Sequence, residues 1–168
     1  CGTIYDPNGL DVARLIALKE AGGLVCDYAG GRKLGRDDVI GVDCDIWIPA
    51  ARPDVIHEDN VQRLKTRLVV QGANIPFTHA AEKILHTKGV LVVPDFIANA
   101  GGVICAATEY RGATQSEAFA AIEEKLRANT ETVLAKAHKQ GVPPRAAAME
   151  LAVQRVKQAM SYRRWSIY

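Results

Sequence analysis

Three short apolar runs recur along the middle of the chain and predict buried β-strands. They span residues 46–48, 68–70 and 90–93 and consist of isoleucine, leucine, valine and one tryptophan. None of them alternates apolar with polar residues, which is typical of strands that are covered on both faces. Strands at this spacing, with helical segments between them, predict right-handed parallel crossovers. The fold class is therefore predicted to be α/β.

Helical segments are predicted on either side of these strands. Residues 57–65 form one between the first two strands, with acidic residues in its first turn, where they complement the helix dipole. Between the second and third strands, Thr78 is predicted to cap a helix that stops at Gly89. A further helix is predicted to begin at Asp11 and to end at residues 22–23.

The last third of the chain is predicted to be helical. From about Ser116, apolar residues recur at helical spacing, and residues 141–144 (Gly-Val-Pro-Pro) break the pattern before a second helix begins. The two apolar stripes are predicted to be core packing. Their members are Phe119, Ile122, Leu126, Val133 and Ala137 in the first helix and Met149, Ala152, Val153, Val156 and Met160 in the second.

Composition excludes several classes of protein. A net charge of +2 is too small to argue for nucleic-acid binding. No apolar run approaches the roughly 20 residues needed to cross a bilayer, so a cytoplasmic protein without membrane contact is expected. The four cysteines have no spacing typical of a zinc site and are expected to be reduced thiols, so no metal site is predicted.

Candidate binding residues follow the three predicted strands. The loops at 49–53, 71–76 and 94–103 are rich in glycine, alanine, asparagine and proline. Ligands bind at the carboxyl ends of strands in an open parallel sheet, and small residues let a ligand approach the backbone. Asparagine offers both a donor and an acceptor, which suits a ligand bearing an amide or a ribose. Tight turns alone would explain any one loop, but three on one sheet edge favour binding.

The fingerprints of several enzyme classes are absent from the sequence. It has no G-x-G-x-x-G dinucleotide fingerprint, no P-loop, no HExxH and no nucleophile elbow. Residues 30–35 are rich in glycine but precede no predicted helix, so they are predicted to be a loop.

Four segments resemble the coenzyme domain of glutamate, leucine, phenylalanine and valine dehydrogenases. They are residues 2–9, 46–51 (I-W-I-P-A-A), 69–76 (V-V-Q-G-A-N-I-P) and 92–103 (V-V-P-D-F-I-A-N-A-G-G-V), in the same order as in that family. The resemblance implies a Rossmann-like parallel sheet with C-terminal helices. It also implies truncation at the N-terminal side, because the first strand, the glycine fingerprint and the second strand would precede residue 1. Residues 1–115 would then be a partial dinucleotide-binding domain, with residues 116–168 a helical segment packed on it or linked to it.

The resemblance also implies an activity, namely oxidative deamination of an L-amino acid, with glutamate favoured, to a 2-oxo acid with NAD or NADP. The family's catalytic lysines and aspartate belong to a separate N-terminal domain, so no residue of this chain is predicted to be catalytic. The partners implied are that domain, the amino acid and 2-oxo acid, and further copies of the same chain in a homo-oligomer. A non-catalytic nucleotide-binding or assembly module of the same family is an alternative, and so is a dehydrogenase for an apolar amino acid.

The site residues that the resemblance implies fall into two groups. The first group would bind the coenzyme, through backbone that lies along it and through bonds to its nicotinamide end. Its members are Pro49, Ala50, Ala51, Gly72, Ala73, Asn74 and Asn99. The substrate's side-chain pocket comes from Gly101, Gly102, Val103 and Ala106. Glutamate-specific members have a serine at the position of Ala106, and an alanine cannot donate that hydrogen bond.

Overall fold

The computed structural model describes residues 2–163, without the side chain of residue 163. Backbone contacts divide the chain into two compact units. The first comprises Cys1–Asp43 and Arg63–Lys65, and the second comprises Cys44–Gln62 and Thr66–Tyr168. The division predicted between residues 1–115 and 116–168 concerns the family's domains and stays a prediction.

The first unit contains a two-stranded antiparallel ribbon. Strand β1 (Thr3–Tyr5) pairs with β2 (Arg32–Leu34), and helix α1 (Val12–Glu20) lies between them in sequence. The helix predicted from Asp11 is confirmed, because the Asp11 carboxylate caps it by accepting a hydrogen bond from the backbone of Arg14. Short 3-10 helices at Val25–Asp27 and Arg36–Gly41 complete the unit.

The prediction of a loop at residues 30–35 is wrong, because β2 occupies half of that segment. Gly31, at φ +72°, turns the chain into the strand. The strand has the sequence Arg-Lys-Leu and is largely exposed, so it has none of the apolar signal that marks a buried strand. Its pairing with β1 defines it.

The cysteines differ from one another. Cys44 and Cys105 are free thiols, as expected. Cys26 is disulfide-bonded, so the expectation of a reduced thiol is wrong there. Cys1 lies outside the described residues. A disulfide depends on the spatial approach of two cysteines, and spacing along the sequence does not reveal that approach.

The second unit is built on a three-stranded parallel sheet. Strands β3 (Ile46–Trp47), β4 (Leu68–Val70) and β5 (Leu91–Val93) lie in the order β3-β4-β5, all parallel. All three predicted strands are confirmed, with ends that differ by at most one residue. The central strand is covered on both sides, and its Val69 is fully buried.

The two crossovers of this sheet differ. The helix predicted at 57–65 is wrong, since that segment forms turns and a 3-10 helix at Val61–Arg63. The Asn60 side chain accepts a hydrogen bond from the backbone of His57 and donates one to the carbonyl of Val55. Lys65, at the end of the segment, pairs with Asp43 in a parallel bridge, which requires extended backbone.

The second crossover is the predicted helix, α2 (His79–Thr87). The Thr78 hydroxyl caps it by accepting from the backbone of Ala81, and Gly89 ends it at φ +77°. These cap residues confirm the boundaries that the sequence predicts.

Four helices follow the last strand: α3 (Asp95–Ala98), α4 (Gly101–Glu109), α5 (Gln115–Gln140) and α6 (Pro144–Arg163). The prediction of a loop at residues 94–103 is wrong, because α3 and the first residues of α4 lie within that segment. Thr114 and Glu117 form a reciprocal capping box at the start of α5, and Gly141 ends that helix at φ +64°. None of the helices within residues 2–163 combines the length and the hydropathy needed to cross a bilayer.

A cluster of buried side chains joins the sheet to the last helices. It consists of Val93, Ile97, Val133, Ala137, Ala147 and Ala148, contributed by β5, α3, α5 and α6. The predicted fold class, a parallel α/β sheet with C-terminal helices, is confirmed.

The core prediction for α6 is wrong. The face packed inward is made of the small residues Pro144, Ala147, Ala148 and the half-buried Leu151. At 3.6 residues per turn, the stripe that begins at Met149 lies on the opposite side of the helix, and its members are exposed. In α5, Val133 and Ala137 are buried as predicted, Ile122 and Leu126 are half-buried, and Phe119 is exposed.

Candidate functional site

The loops that follow β3 and β4 lie side by side at the carboxyl edge of the sheet. The backbone N–H of Ala73 donates a hydrogen bond of 2.7 Å to the carbonyl oxygen of Pro49. A Cβ atom added to Gly72 would lie 3.2 Å from the Cβ of Ala50 and 3.4 Å from the oxygen of Pro49. A side chain at this position would be in tight contact with the neighbouring loop, so the close approach of the two backbones favours glycine. Ala51 is exposed in the same loop as Ala50.

Two asparagines from different loops meet at this edge. The Nδ2 of Asn99 donates a hydrogen bond of 2.7 Å to the Oδ1 of Asn74. Asn74 is exposed and Asn99 is half-buried at the end of α3. The contact leaves the Asn74 amide group and the Asn99 carbonyl oxygen for another partner. Together the two side chains offer a donor beside an acceptor.

The backbone after Asn74 is held in a strained turn. Ile75 has φ +48°, a left-handed conformation that costs a β-branched residue about 1 to 3 kcal/mol. Its carbonyl oxygen accepts from the backbone N–H of Asp54 at 2.9 Å. Its own N–H donates to Oδ2 of Asp95, also at 2.9 Å. These two bonds hold the turn and so fix where the Asn74 side chain leaves the backbone.

A guanidinium group connects the elements behind this edge. The Nε of Arg145 lies 2.6 Å from Oε2 of Glu82, and its Nη2 lies 2.9 Å from Oδ1 of Asp95. The same Nη2 donates to Oε1 of Gln71 at 2.9 Å. We name these four residues the Arg145 cluster. It joins α6 to α2, to the end of β4 and to the start of α3.

Gln71 links the members of the Arg145 cluster to one another. Its side chain is fully buried directly after β4. The Nε2 atom donates to Oε1 of Glu82 at 2.6 Å, and Oε1 accepts from the backbone N–H of Asp95 at 3.0 Å. Every polar atom of this amide is therefore used, as a buried polar group requires.

The opposite charges of Arg145 and its carboxylate partners stabilise each other's ionised forms. Burial alone would raise the pKa of Asp95, but the hydrogen bond from Ile75 N–H and the contact with Arg145 lower it below its ordinary value. Burial would lower the pKa of Arg145, and the hydrogen bonds to Glu82 and Asp95 raise it above its ordinary value. The Asp95–Arg145 pair is therefore ionised at neutral pH.

The Arg145 cluster is not predicted by the sequence. Arg145 is 74 residues from Gln71 and 50 from Asp95, so no local motif connects them. Two features of the sequence point to these residues: Gln71 lies between an apolar strand and a glycine, and Arg145 directly follows the Pro-Pro break. Neither feature indicates which residue the side chain contacts.

The residues predicted to form the substrate pocket lie on the first turns of α4. Gly101 is half-buried, with Ile122 3.5 Å from where its Cβ would be. Gly102, Val103 and Ala106 are exposed and share one side of the helix. Their roles, like those of the coenzyme residues, stay predictions. Residues 2–163 contain no group of three or more His, Cys, Asp or Glu side chains placed to hold a metal ion.

Known proteins of similar sequence fall in one family. The Glutamate/Leucine/Phenylalanine/Valine dehydrogenase family matches residues 1–164. A glutamate dehydrogenase of Aeropyrum pernix is 41% identical over 98% of the chain, and one of Thermotoga maritima is 38% identical over 96%. The chain spans about two fifths of these relatives, 42% and 40% of their lengths.

Solved structures give the same result. The hetero-hexameric glutamate dehydrogenase of Thermus thermophilus, in its Leu-bound form, superposes with a TM-score of 0.81 at 27% identity. The match covers 99% of this chain and 40% of that one. A glutamate dehydrogenase of Peptoniphilus asaccharolyticus superposes with a TM-score of 0.72 at 26% identity, over 96% of this chain and 37% of that one. The chain therefore belongs to the Glutamate/Leucine/Phenylalanine/Valine dehydrogenase family, which confirms the resemblance seen in its sequence.

Proposed function

We propose that this chain is the coenzyme-binding part of an NAD- or NADP-dependent amino-acid dehydrogenase. The nicotinamide end of the coenzyme binds at the carboxyl edge of the parallel sheet, against Asn74 and Asn99. Relatives named NADP-specific and NAD-specific glutamate dehydrogenase, 34% and 33% identical to this chain, support either coenzyme.

The asparagine pair is the observation that carries the proposal. The nicotinamide carboxamide has one carbonyl acceptor and one amide donor. These match the free amide group of Asn74 and the free carbonyl of Asn99, which are left by their mutual 2.7 Å hydrogen bond. The bound coenzyme supplies a hydride acceptor, and the chain's own residues orient the ring beside the substrate.

The loops beside the pair suit the rest of the nicotinamide nucleotide. Gly72 and Ala73 lie against Pro49 and Ala50, which leaves backbone and small side chains along this edge. A ribose can approach such a surface closely. The sequence has no G-x-G-x-x-G loop to hold the pyrophosphate, so we expect the 168-residue chain to bind NAD only in the millimolar range.

The proposed substrate is an L-amino acid, glutamate first, which is oxidised to a 2-oxo acid and ammonia. The names of the relatives support glutamate. The exposed side of α4 with Gly102, Val103 and Ala106 faces that substrate's side chain in this proposal. Since Ala106 has no hydroxyl, the distal carboxylate of glutamate is held by another group, or an apolar amino acid is preferred.

The proposed partners are a catalytic domain of the kind found in the relatives and further copies of the chain. The exposed apolar stripe of α6, with Val153, Val156 and Met160, supports an assembly that covers it.

A segment swap tests the proposed function. The 168-residue chain replaces the matching two fifths of the Thermotoga maritima relative, and both proteins are assayed with glutamate, leucine, valine and phenylalanine. We expect no turnover by the chain alone, because it contains no predicted catalytic residue. We expect coenzyme-dependent oxidation of one of these amino acids by the swapped protein.

The matched control is the same swap with Asn74→Ala and Asn99→Ala together. Loss of the two amide contacts should raise the KM for coenzyme by roughly tenfold or more, at about 1 kcal/mol per hydrogen bond. A folded swap that is inactive with all four amino acids and both coenzymes would contradict the proposal. Turnover by the chain alone would show that the catalytic groups are within it.

A further inference from the structure

We propose that Arg145 is a positioning residue for the nicotinamide end of the coenzyme. It acts through Asp95 on both asparagines, and this inference rests on the proposed function. Within residues 2–163, the hydrogen bonds of Arg145 go to the other members of the Arg145 cluster and not to Asn74 or Asn99.

Asp95 connects Arg145 to both asparagines, because it accepts hydrogen bonds from the residue that follows Asn74 and from Asn99 itself. Its Oδ2 accepts from the N–H of Ile75, the residue that follows Asn74, at 2.9 Å. Its carbonyl oxygen accepts from the N–H of Asn99 at 2.7 Å. A shift of Asp95 would therefore displace both halves of the donor–acceptor pair.

Arg145 and Gln71 hold Asp95 in place through two further hydrogen bonds. Oδ1 of Asp95 contacts Nη2 of Arg145 at 2.9 Å, and the backbone N–H of Asp95 donates to Gln71 at 3.0 Å. The planar guanidinium also binds both carboxylate oxygens of Glu82, at 2.6 and 2.8 Å, and lies 5.5 Å from the centre of the Phe96 ring. Few side chains could satisfy this geometry.

Because the turn at Ile75 is strained, the position of Asn74 depends on the hydrogen bond from Ile75 to Asp95. A left-handed β-branched residue relaxes toward an ordinary conformation once the bonds that hold it weaken. Asn74 directly precedes this residue, so relaxation would turn its amide away from Asn99. Arg145 therefore affects coenzyme binding through the conformation of the asparagine loops, and it affects only the nicotinamide end.

The test compares NAD with ADP-ribose, which lacks only the nicotinamide. Arg145→Lys keeps the positive charge but removes the fork that holds Glu82 and Asp95 together. In protein-observed NMR titrations of the 168-residue chain, we expect the Kd for NAD to rise roughly threefold to tenfold, the effect of about one hydrogen bond. The Kd for ADP-ribose should stay within about twofold of the wild-type value.

The matched control is Arg155→Lys on the same helix. Arg155 is exposed and bonds to Asn129, away from the loops. This variant should change neither Kd. In the unliganded Arg145→Lys variant, the side-chain amide signals of Asn74 and Asn99 should shift, while that of Asn129 should not. If Arg145→Lys does not fold, Glu82→Gln weakens the same contacts, and the same selective loss of NAD affinity is expected.

Three outcomes separate this inference from the proposed function. Selective loss of NAD affinity supports it. Equal weakening of NAD and ADP-ribose, or no change in either, overturns the inference and leaves the proposed function standing. Failure of the wild-type chain to bind NAD at any millimolar concentration contradicts both.

Discussion

Replacing Arg145 with methionine is expected to lower the free energy of unfolding by about 3 kcal/mol. The carboxylates of Glu82 and Asp95 are about nine-tenths buried, at 8% and 10% side-chain exposure, and would be left facing each other without a cation. Breaking a buried ion pair costs about 3 to 5 kcal/mol. Because the Arg145 side chain itself is 20% exposed, the lower end of that range applies.

Urea unfolding followed by far-UV circular dichroism measures this effect, since most helical residues belong to the second unit. Arg155→Met on the same helix removes an equal charge at an exposed position and should cost less than about 0.5 kcal/mol. A loss of under about 1 kcal/mol in Arg145→Met would mean that water solvates the two carboxylates, and Arg145 would then not hold Asp95 in place.

The second large effect is expected for Leu85→Ala, at about 2 to 4 kcal/mol of unfolding free energy. Leu85 is fully buried in α2, where it fixes the helix that presents Glu82 to Arg145. The loss combines the transfer of the removed methyl groups to water with the cavity left behind. The same urea unfolding measures it.

The controls for this prediction come from the exposed stripe of α6. Val156 and Met160 are 59% and 62% exposed, so their replacement by alanine should change the free energy of unfolding by less than about 0.5 kcal/mol. A cost of about 2 kcal/mol or more at either position in the monomeric chain would show that this stripe is buried against the protein, as the sequence predicted.

The sequence predicted the elements whose signals are local. The three strands are apolar runs, but only the central one is covered on both faces, since Ile46 of β3 and Leu91 of β5 are exposed. The starts of α1 and α2 follow from cap residues, since a side-chain oxygen at Asp11 or Thr78 satisfies a free backbone N–H of the first turn.

The errors arise where tertiary contacts decide. The segment 57–65 has helical composition, yet its last residue, Lys65, pairs with Asp43 in a parallel bridge that requires extended backbone. In α6 two faces are apolar, and the smaller one packs inward because alanines allow the helices to approach closely. Hydrophobic periodicity alone cannot rank two such faces.

The candidate site was predictable only where its signals are local in the sequence. Its loops stand out because each is rich in proline and small residues, and two of the three also carry glycine and asparagine. The Arg145 cluster does not stand out, because it joins residues far apart in sequence and its members look like ordinary surface residues when read singly. Only the fold brings their charges together.

The most direct test of the central proposal is an NMR titration of the ¹⁵N-labelled 168-residue chain with NADH. We predict saturable shifts of the side-chain amides of Asn74 and Asn99 and of the backbone amides of Gly72 and Ala73, with a Kd in the millimolar range. With Asn74→Ala and Asn99→Ala together, the shifts of Gly72 and Ala73 should need roughly tenfold more NADH. Shifts confined to the first unit, or none at these four residues at saturating NADH, would contradict binding of the nicotinamide end at this edge.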